Sequence, residues 1–485
     1  VADTFKLRIN GDSVDGGAGT YEIVNPATEE IVGHAPQASV QQSLDATAAA
    51  AEAFESWSRT TPEYRANLLE AAANLLESRL DEFVPLVQAE TGATLRVTKT
   101  IQVPQAAARF RRYAKGALEP RIIPLEPAVM PNTALAPGGI ISAVGHRAPV
   151  GVVSCITSYN FPMTNMAGKI GPALAMGNTV VVKPAPQDPL GVLKLVELME
   201  EAGFPPGVIN TSCGTDVAAS ETLVSSPHVD MVSFTGSTAV GRRIGAVAGG
   251  DMKRLLLELG GKGACIVFDD ADLKAAIGGI ASVWGFHSGQ ICTSPTRVIA
   301  QRGIYDALVA GLTQAANHMK VGDPLERDTV VGPVITAIHR ERVEGYIQSA
   351  RDEGAEIAAG GTRPDFDRGF FVPPTLIANA NNSMTAVREE IFGPVVAVVP
   401  FDDEEEAVAI ANDSDFGLYS YVFTKDTPKA FAIAQRLRSG NVGINSLQRN
   451  HEAAFGGFKQ SGVGRDGGSY GLHAYSEMQS IVWPG

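Results

Sequence analysis

An α/β fold of two linked parallel-sheet domains, with a β-arm ahead of the first alternation and a strand after the second, is what this sequence predicts. Three observations carry the prediction. Short apolar runs alternate with amphipathic ones between residues 150 and 270, a second alternation of the same kind begins at 272, and a proline-rich stretch at 120–149 leads into the first. Strand–helix alternation marks a parallel sheet flanked by helices, because parallel neighbours need a crossover connection. Ligands are then expected at the carboxyl ends of the strands.

In chain order, residues 1–40 read as short strands and turns, broken at Gly16-Gly17 and Asn25-Pro26, and 41–57 become an alanine-rich helix. Thr61-Pro62-Glu63 is a helix start with proline in the first turn, followed by Leu68, Leu69, Leu75, Leu76 and Leu80 at helical spacing. From Pro120 to Pro149 the prolines and the run Gly138–Val144 predict a hairpin arm. The first α/β unit is expected to contain strands at Val150–Ile156, Thr179–Val182, Val208–Thr211, Met231–Phe234 and Cys265–Phe268, with helices at 162–175, 189–202 and 237–247. The second has strands at Val298–Gln301, Val395–Pro400, Tyr419–Phe423 and Val442–Asn445, with helices near 303–318, 336–353, 404–413 and 427–437. No short-period repeat or low-complexity tail interrupts them. The apolar end, Ala474 to Gly485, reads as a strand whose open edge asks for cover.

With 485 residues, 45% of them hydrophobic, the chain is long enough for a large core and more than one domain. A net charge of −14 and the lack of a basic stripe oppose binding to nucleic acid or an anionic membrane. The first residues lack the basic and then apolar segments of a secretory signal, and no apolar run reaches membrane-spanning length, so a cytoplasmic location is expected. Cys155, Cys213, Cys265 and Cys292 are widely spaced, with no C-x-x-C pair to suggest structural zinc or a disulfide framework. Reduced thiols and no metal site are the expectation.

Four thiols compete for chemistry. Cys155 and Cys265 lie in apolar strand patterns and read as small buried hydrophobes, Cys213 is expected exposed on a turn, and Cys292 follows a glycine-punctuated approach, Trp284-Gly-Phe-His-Ser-Gly-Gln-Ile. A nucleophilic cysteine needs substrate access and a nearby base, and Cys292 has the most suitable setting. Lys183 ends a buried strand, where its ammonium could meet a nucleotide ribose or simply water. Phe234-Thr-Gly236-Ser237 is strand, glycine turn, helix, an arrangement that brings amides towards a pyrophosphate, although it is neither G-x-G-x-x-G nor a P-loop. Glu258 precedes two glycines and reads as either a general base or a surface carboxylate.

Taken together, these residues resemble the aldehyde dehydrogenase superfamily from about Asn25 to the C-terminus. Seven motifs occur in order: Tyr159-Asn-Phe-Pro162, Lys183-Pro184, Phe234-Thr-Gly-Ser-Thr-x-x-Gly241, Glu258-Leu-Gly-Gly-Lys262, Gly289-Gln-x-Cys292, Glu390-Ile-Phe-Gly-Pro394 and Gly456-Gly-Phe-Lys-Gln-Ser-Gly462. The resemblance implies two Rossmann-like parallel-sheet domains plus a β-arm for oligomerisation. Its expected division is a discontinuous cofactor-binding domain at 1–124 and 150–258, a catalytic domain at 259–460, and an arm with C-terminal strand at 125–149 and 461–485. It implies oxidation of an aldehyde to the acid with NAD, or NADP, through a thiohemiacetal and thioester on Cys292. Asn160 and the Cys292 N–H would hold the oxyanion, and Glu258 would activate water. Lys183, Gly236, Ser237, Gly241, Glu390 and Phe392 would bind the cofactor. Pro186 stands where many NAD-preferring members carry a glutamate, which leaves NADP open, and Asp466 replaces a commoner glutamate.

For the substrate, the resemblance points to Tyr159, Gly168, Phe286, Ile291, Thr293 and Phe455, with Gly168 expected to widen the channel. His287 and His451 read as wall residues without proton-transfer roles. With no cation among these flanks except the nearby Arg449, an uncharged aromatic or terpenoid aldehyde is expected. Rival readings are a CoA-acylating relative, which has little use for Glu258, and a non-catalytic binding protein on the same fold. The family also implies a homodimer or homotetramer, with Ile481, Val482 and Trp483 buried between subunits.

Overall fold

A computed structural model describes residues 3–484. Residues 1, 2 and 485, which fall within the domain segments 1–124 and 461–485, lie outside the described residues. After short N-terminal strands come the helices α1 (Val40–Trp57), α2 (Pro62–Ser78) and α3 (Val103–Ala117). Thr61 caps α2 by accepting the Tyr64 N–H, satisfying one of the donors that a helix start leaves free. Then follow the arm strands β1 (Ile122–Pro124), β2 (Ala128–Met130) and β3 (Gly139–Pro149).

The first α/β unit is β4 (Val152–Ile156), α4 (Pro162–Met176), β5 (Thr179–Lys183), α5 (Leu190–Glu201), β6 (Ile209–Thr211), β7 (Met231–Thr235), α6 (Thr238–Gly250) and β8 (Arg254–Glu258). Its strands run parallel in the order β6-β5-β4-β7-β8. Every residue of β4 and β5 is buried, as strands covered on both faces must be.

The second unit holds β9 (Ala264–Val267), α7 (Leu273–Trp284), β10 (Arg297–Gln301), β11 (Glu356–Ala359), β12 (Thr375–Ala378), β13 (Val395–Phe401), β14 (Tyr419–Phe423) and β15 (Asn441–Ile444). Its sheet order is β11-β12-β13-β10-β9-β14-β15, parallel except for β11. The alternation read from the sequence is therefore present in both units. It overlooked β11 and β12, which are only four residues each, and it did not mark β8 as a strand. It also placed the strand beginning at Cys265 in the first unit, whereas β9 pairs only within the second sheet.

Two strands close the chain. β16 (Gly462–Val463) pairs antiparallel with β8 and forms the edge of the first sheet, so of the stretch 461–485 only β17 (Ser476–Pro484) pairs with the arm. β17 runs antiparallel to β3 from Ser476↔Pro149 to Pro484↔Ile141. One edge of β17 is thus covered within its own chain and the other is free.

Candidate active site

Five candidate residues lie along the carboxyl edge of the first sheet. Asn160 follows β4, Lys183 ends β5, Gly236 and Ser237 follow β7, and Glu258 ends β8. Cys292 comes from the second unit, on the loop between α7 and β10. That loop is held by its backbone. His287, Ser288 and Gly289 all take positive φ (48°, 55° and 69°), and a Cβ at Gly289 would strike the Gly393 carbonyl. Trp284 Nε1 donates to the Pro394 carbonyl at 2.8 Å, Ser288 Oγ to that of Gly332 at 2.8 Å, and the Ile335 N–H donates to Gln290 Oε1 at 3.0 Å.

Cys292, Glu258 and Asn160 line one cavity of about 190 Å³, with Tyr159, Ile291, Thr293, Phe455, Glu390, Phe392, Gly236 and Ser237. Asn160 is oriented at both ends of its amide: Ser158 Oγ donates to Oδ1 at 2.8 Å, and Nδ2 donates one N–H to the Gln290 carbonyl at 2.9 Å. The second N–H of that amide remains for a ligand. Glu258 is 5% exposed, and neither carboxylate oxygen has a hydrogen-bond partner among the described residues. Burial, with the nearby Asp466 carboxylate, holds its pKa well above the usual carboxylate range, against the pull of Lys169, Arg449 and Arg465. Burial also pushes the Cys292 thiol up to about 12, opposed chiefly by Arg449. A thiol raised in this way would need a base before it could act as a nucleophile.

The other cysteines divide differently from the expectation. Cys155 and Cys265 are fully buried in strands, as their patterns imply. Cys213, expected exposed, is 2% exposed and within 3.4 Å of the Tyr21 hydroxyl, because the N-terminal strands cover its turn.

A second cavity of about 490 Å³ adjoins the first through Ser158, Tyr159, Thr235, Gly236 and Ser237. Val224, Phe234, Val240, Ile244 and Val247 form an apolar wall, opposite Lys183 and the segment Pro184–Gln187. A dinucleotide fits these residues. Gly236 lies where a Cβ would strike the Phe234 ring, Ser237 caps α6 beside it by accepting the Val240 N–H, and the Lys183 ammonium makes only long contacts, 3.5 and 3.4 Å, to two carbonyls. Glu390 Oε1 accepts the Gly261 N–H at 2.8 Å, and burial raises its pKa to about 7. Phe392, at φ 61°, packs edge-on to Tyr159 with ring centroids 5.8 Å apart.

Three candidates stand elsewhere. Gly241 lines neither cavity; a Cβ there would collide with Leu259, so it sets the packing of α6 on the segment after β8. Phe286 is half-buried and absent from the catalytic lining. Gly168 does not widen the channel, because the Arg109 guanidinium of α3 occupies the space over it. His287 is buried against Phe161, 5.2 Å between centroids, with its pKa lowered to about 4 by burial, and lies outside the catalytic lining.

Sequence reasoning missed Arg109, and did not count Arg449 as a wall residue; both line the catalytic cavity. The uncharged-substrate expectation rested on a wall without cations, and that premise does not hold. Lys169 was also overlooked. Fully buried, it donates to Ser233 Oγ at 3.1 Å beneath Glu258 and Asp466.

A partly exposed thiol, a carboxylate without a partner among the described residues and an amide donor meet at the junction with a nucleotide-sized cleft, a setting that fits the class of nicotinamide-dependent oxidoreductases. The Aldehyde dehydrogenase family model matches residues 14–481. A putative aldehyde dehydrogenase, DhaS, from Bacillus subtilis is 38% identical, the match covering 99% of this chain and 95% of the relative. The mitochondrial succinate-semialdehyde dehydrogenase of Oryza sativa is also 38% identical, over 98% and 88%. Among solved structures, betaine aldehyde dehydrogenase from Staphylococcus aureus in complex with NAD+ superposes with a TM-score of 0.94 at 36% identity, covering 98% of this chain and 94% of that one. The chain belongs to the aldehyde dehydrogenase family and is an NAD(P)-dependent aldehyde dehydrogenase. Among the described residues no helix is long and apolar enough to cross a membrane.

Proposed function

We propose that the chain oxidises its aldehyde to the carboxylic acid through a covalent acyl intermediate on Cys292, with Glu258 as the base. The observation that carries this reading is the shared cavity of Cys292, Glu258 and Asn160, in which the carboxylate lacks any protein partner. Glu258 takes the thiol proton, and the thiolate attacks the carbonyl carbon. The new oxyanion accepts hydrogen bonds from the Cys292 N–H and the free N–H of Asn160 Nδ2, a kind of stabilisation whose loss costs about 10²–10³ in rate. When bound, the oxidised nicotinamide supplies the hydride acceptor. Once Glu258 has given the thiol proton up to solvent, it deprotonates the water that attacks the thioester; the tetrahedral species expels the Cys292 sulfur, which takes that proton from Glu258, releasing the acid and regenerating the thiol.

Lys183, Gly236 and Ser237 are assigned to the adenosine and pyrophosphate side of the cofactor, and Glu390 and Phe392 to its nicotinamide end. Hydrolysis rather than transfer to CoA is supported by Glu258, which has little use in an acylating enzyme. Tyr159, Ile291, Thr293 and Phe455 form the substrate wall, whose apolar faces suit a hydrocarbon body, and Arg109 and Arg449 stand in the same lining. The arm is assigned to assembly as a homodimer or homotetramer, and four free cysteines suit a reducing, cytoplasmic setting.

A panel of aldehydes assayed with NAD+ and NADP+, by absorbance of the reduced nicotinamide, tests the reading alongside Cys292→Ala. Turnover by the wild type, and none by a variant that still binds cofactor, is the expected result. Wild-type turnover in that variant would overturn it. Pro186 lines the adenosine cleft with no carboxylate at its position, so kcat/KM for NAD+ is expected to exceed that for NADP+ by less than about 10³, some 4 kcal/mol.

A further inference from the structure

We infer that the catalytic cavity takes an aldehyde bearing a carboxylate at the end remote from its carbonyl, held by Arg109 and Arg449; the inference rests on the aldehyde-oxidising reading of Cys292. Both guanidiniums line the cavity that contains Cys292, and both also line an adjoining outer cavity of about 120 Å³, the two spaces sharing Phe455 and Asp466. Arg109 reaches this position because Gly168 has no side chain to exclude it. Its one carboxylate neighbour, Asp466, is 3.8 Å away, at the outer limit of an ion pair. Arg449 has no acidic partner among the described residues, and its guanidinium lies over the Phe455 ring at 3.8 Å.

Neither guanidinium donates a hydrogen bond to the protein among the described residues, whereas nearby Arg112 is engaged by Glu452, Glu119 and Ser469. Two partly desolvated planar cations with free donors in one passage form a site for a carboxylate, which such forks bind bidentately. Asp466 and Glu258 alone leave those donors unused. A carbonyl at Cys292 then places the remote end of a short substrate towards the outer cavity, with Phe455 against its carbon chain.

The test compares 4-oxobutanoate and 5-oxopentanoate with butanal and pentanal as substrates of the full chain with NAD+. The expected kcat/KM favours each acid over its neutral homologue by about tenfold or more, the worth of one charge-assisted hydrogen bond. Arg109→Gln and Arg449→Gln should each reduce that preference about tenfold, through KM, while quenching of protein fluorescence by NADH reports a folded cofactor site. Equal or better use of the neutral aldehydes by the wild type, or an unchanged preference in both variants, would overturn the inference. If the wild type oxidises other aldehydes with NAD+ but neither of these acids, the inference fails while the reading of Cys292 stands; if it binds NADH yet oxidises no aldehyde of the wider panel, that reading fails first.

Discussion

The role proposed for Glu258 depends on where burial leaves it. A carboxylate with no hydrogen-bond partner and a raised pKa is a stronger base than an exposed one, and it stands in the cavity with a thiol that burial holds protonated. Glu258→Gln is expected to leave a burst of reduced cofactor followed by a slow steady state, since acylation partly survives while hydrolysis lacks its base; stopped-flow absorbance checks it. Only the ionised carboxylate can accept a proton, so steady-state kcat should rise with pH through the raised Glu258 pKa. Asp466 contributes to that elevation, so Asp466→Asn should move the ascending limb to lower pH, as read from a pH–rate profile. Cys292, Glu258 and Asn160 were singled out through seven motifs in order, each weak alone, and the structure gathers the three in one cavity. Arg109 was not, since a helical arginine carries no local sign that a glycine on the neighbouring helix will admit it. The burial of Cys213 was equally hidden, because the cover comes from strands some 200 residues earlier.

Among the elements, the strands and helices of both units follow from apolar runs alternating with amphipathic ones, and most predicted boundaries differ by one or two residues from those observed. Where the pattern failed, the segments were short or their partners distant: β11 and β12 carry too few residues for a period, and β16 is a strand only because β8 lies beside it. Tertiary packing also decides what the glycines do. Gly241 belongs to a motif that suggests phosphate contact, yet its position serves the approach of α6 to Leu259. Gly289 lets the cysteine loop turn at φ 69° against the carbonyl of Gly393. Gly289→Ala should therefore destabilise the fold by about 1–3 kcal/mol. Denaturant unfolding would show this, and displacement of Cys292 should reduce turnover as well.

On the scale of the whole molecule, the two parallel-sheet units meet so that Cys292, the proposed nucleophile, comes from one and Glu258, the proposed base, from the other, with the second cavity opening on the junction. The arm takes no part in that site. It exposes Val129 (82%), Leu135 (99%) on the loop between β2 and β3, and Val482 (60%), and among the described residues β17 keeps a free edge, a combination that soluble proteins usually cover with another chain. Truncation after Ser476 should lower the mass of the assembly measured by light scattering and reduce its thermal stability. An unchanged mass and stability would remove the arm from the assembly. The sequence showed that an apolar strand ends the chain, but not that β3 of the same chain would occupy one of its edges.

The central claim is that oxidation passes through an acyl group on Cys292 that Glu258 clears. It is tested most directly by mixing the Glu258→Gln variant with NAD+ and an aldehyde it oxidises, quenching in acid during the burst, and locating the modified peptide by mass spectrometry. The account predicts one acyl group on Cys292, in proportion to the reduced cofactor formed, and none on Cys155, Cys213 or Cys265. Stoichiometric reduced cofactor with Cys292 unmodified would contradict it.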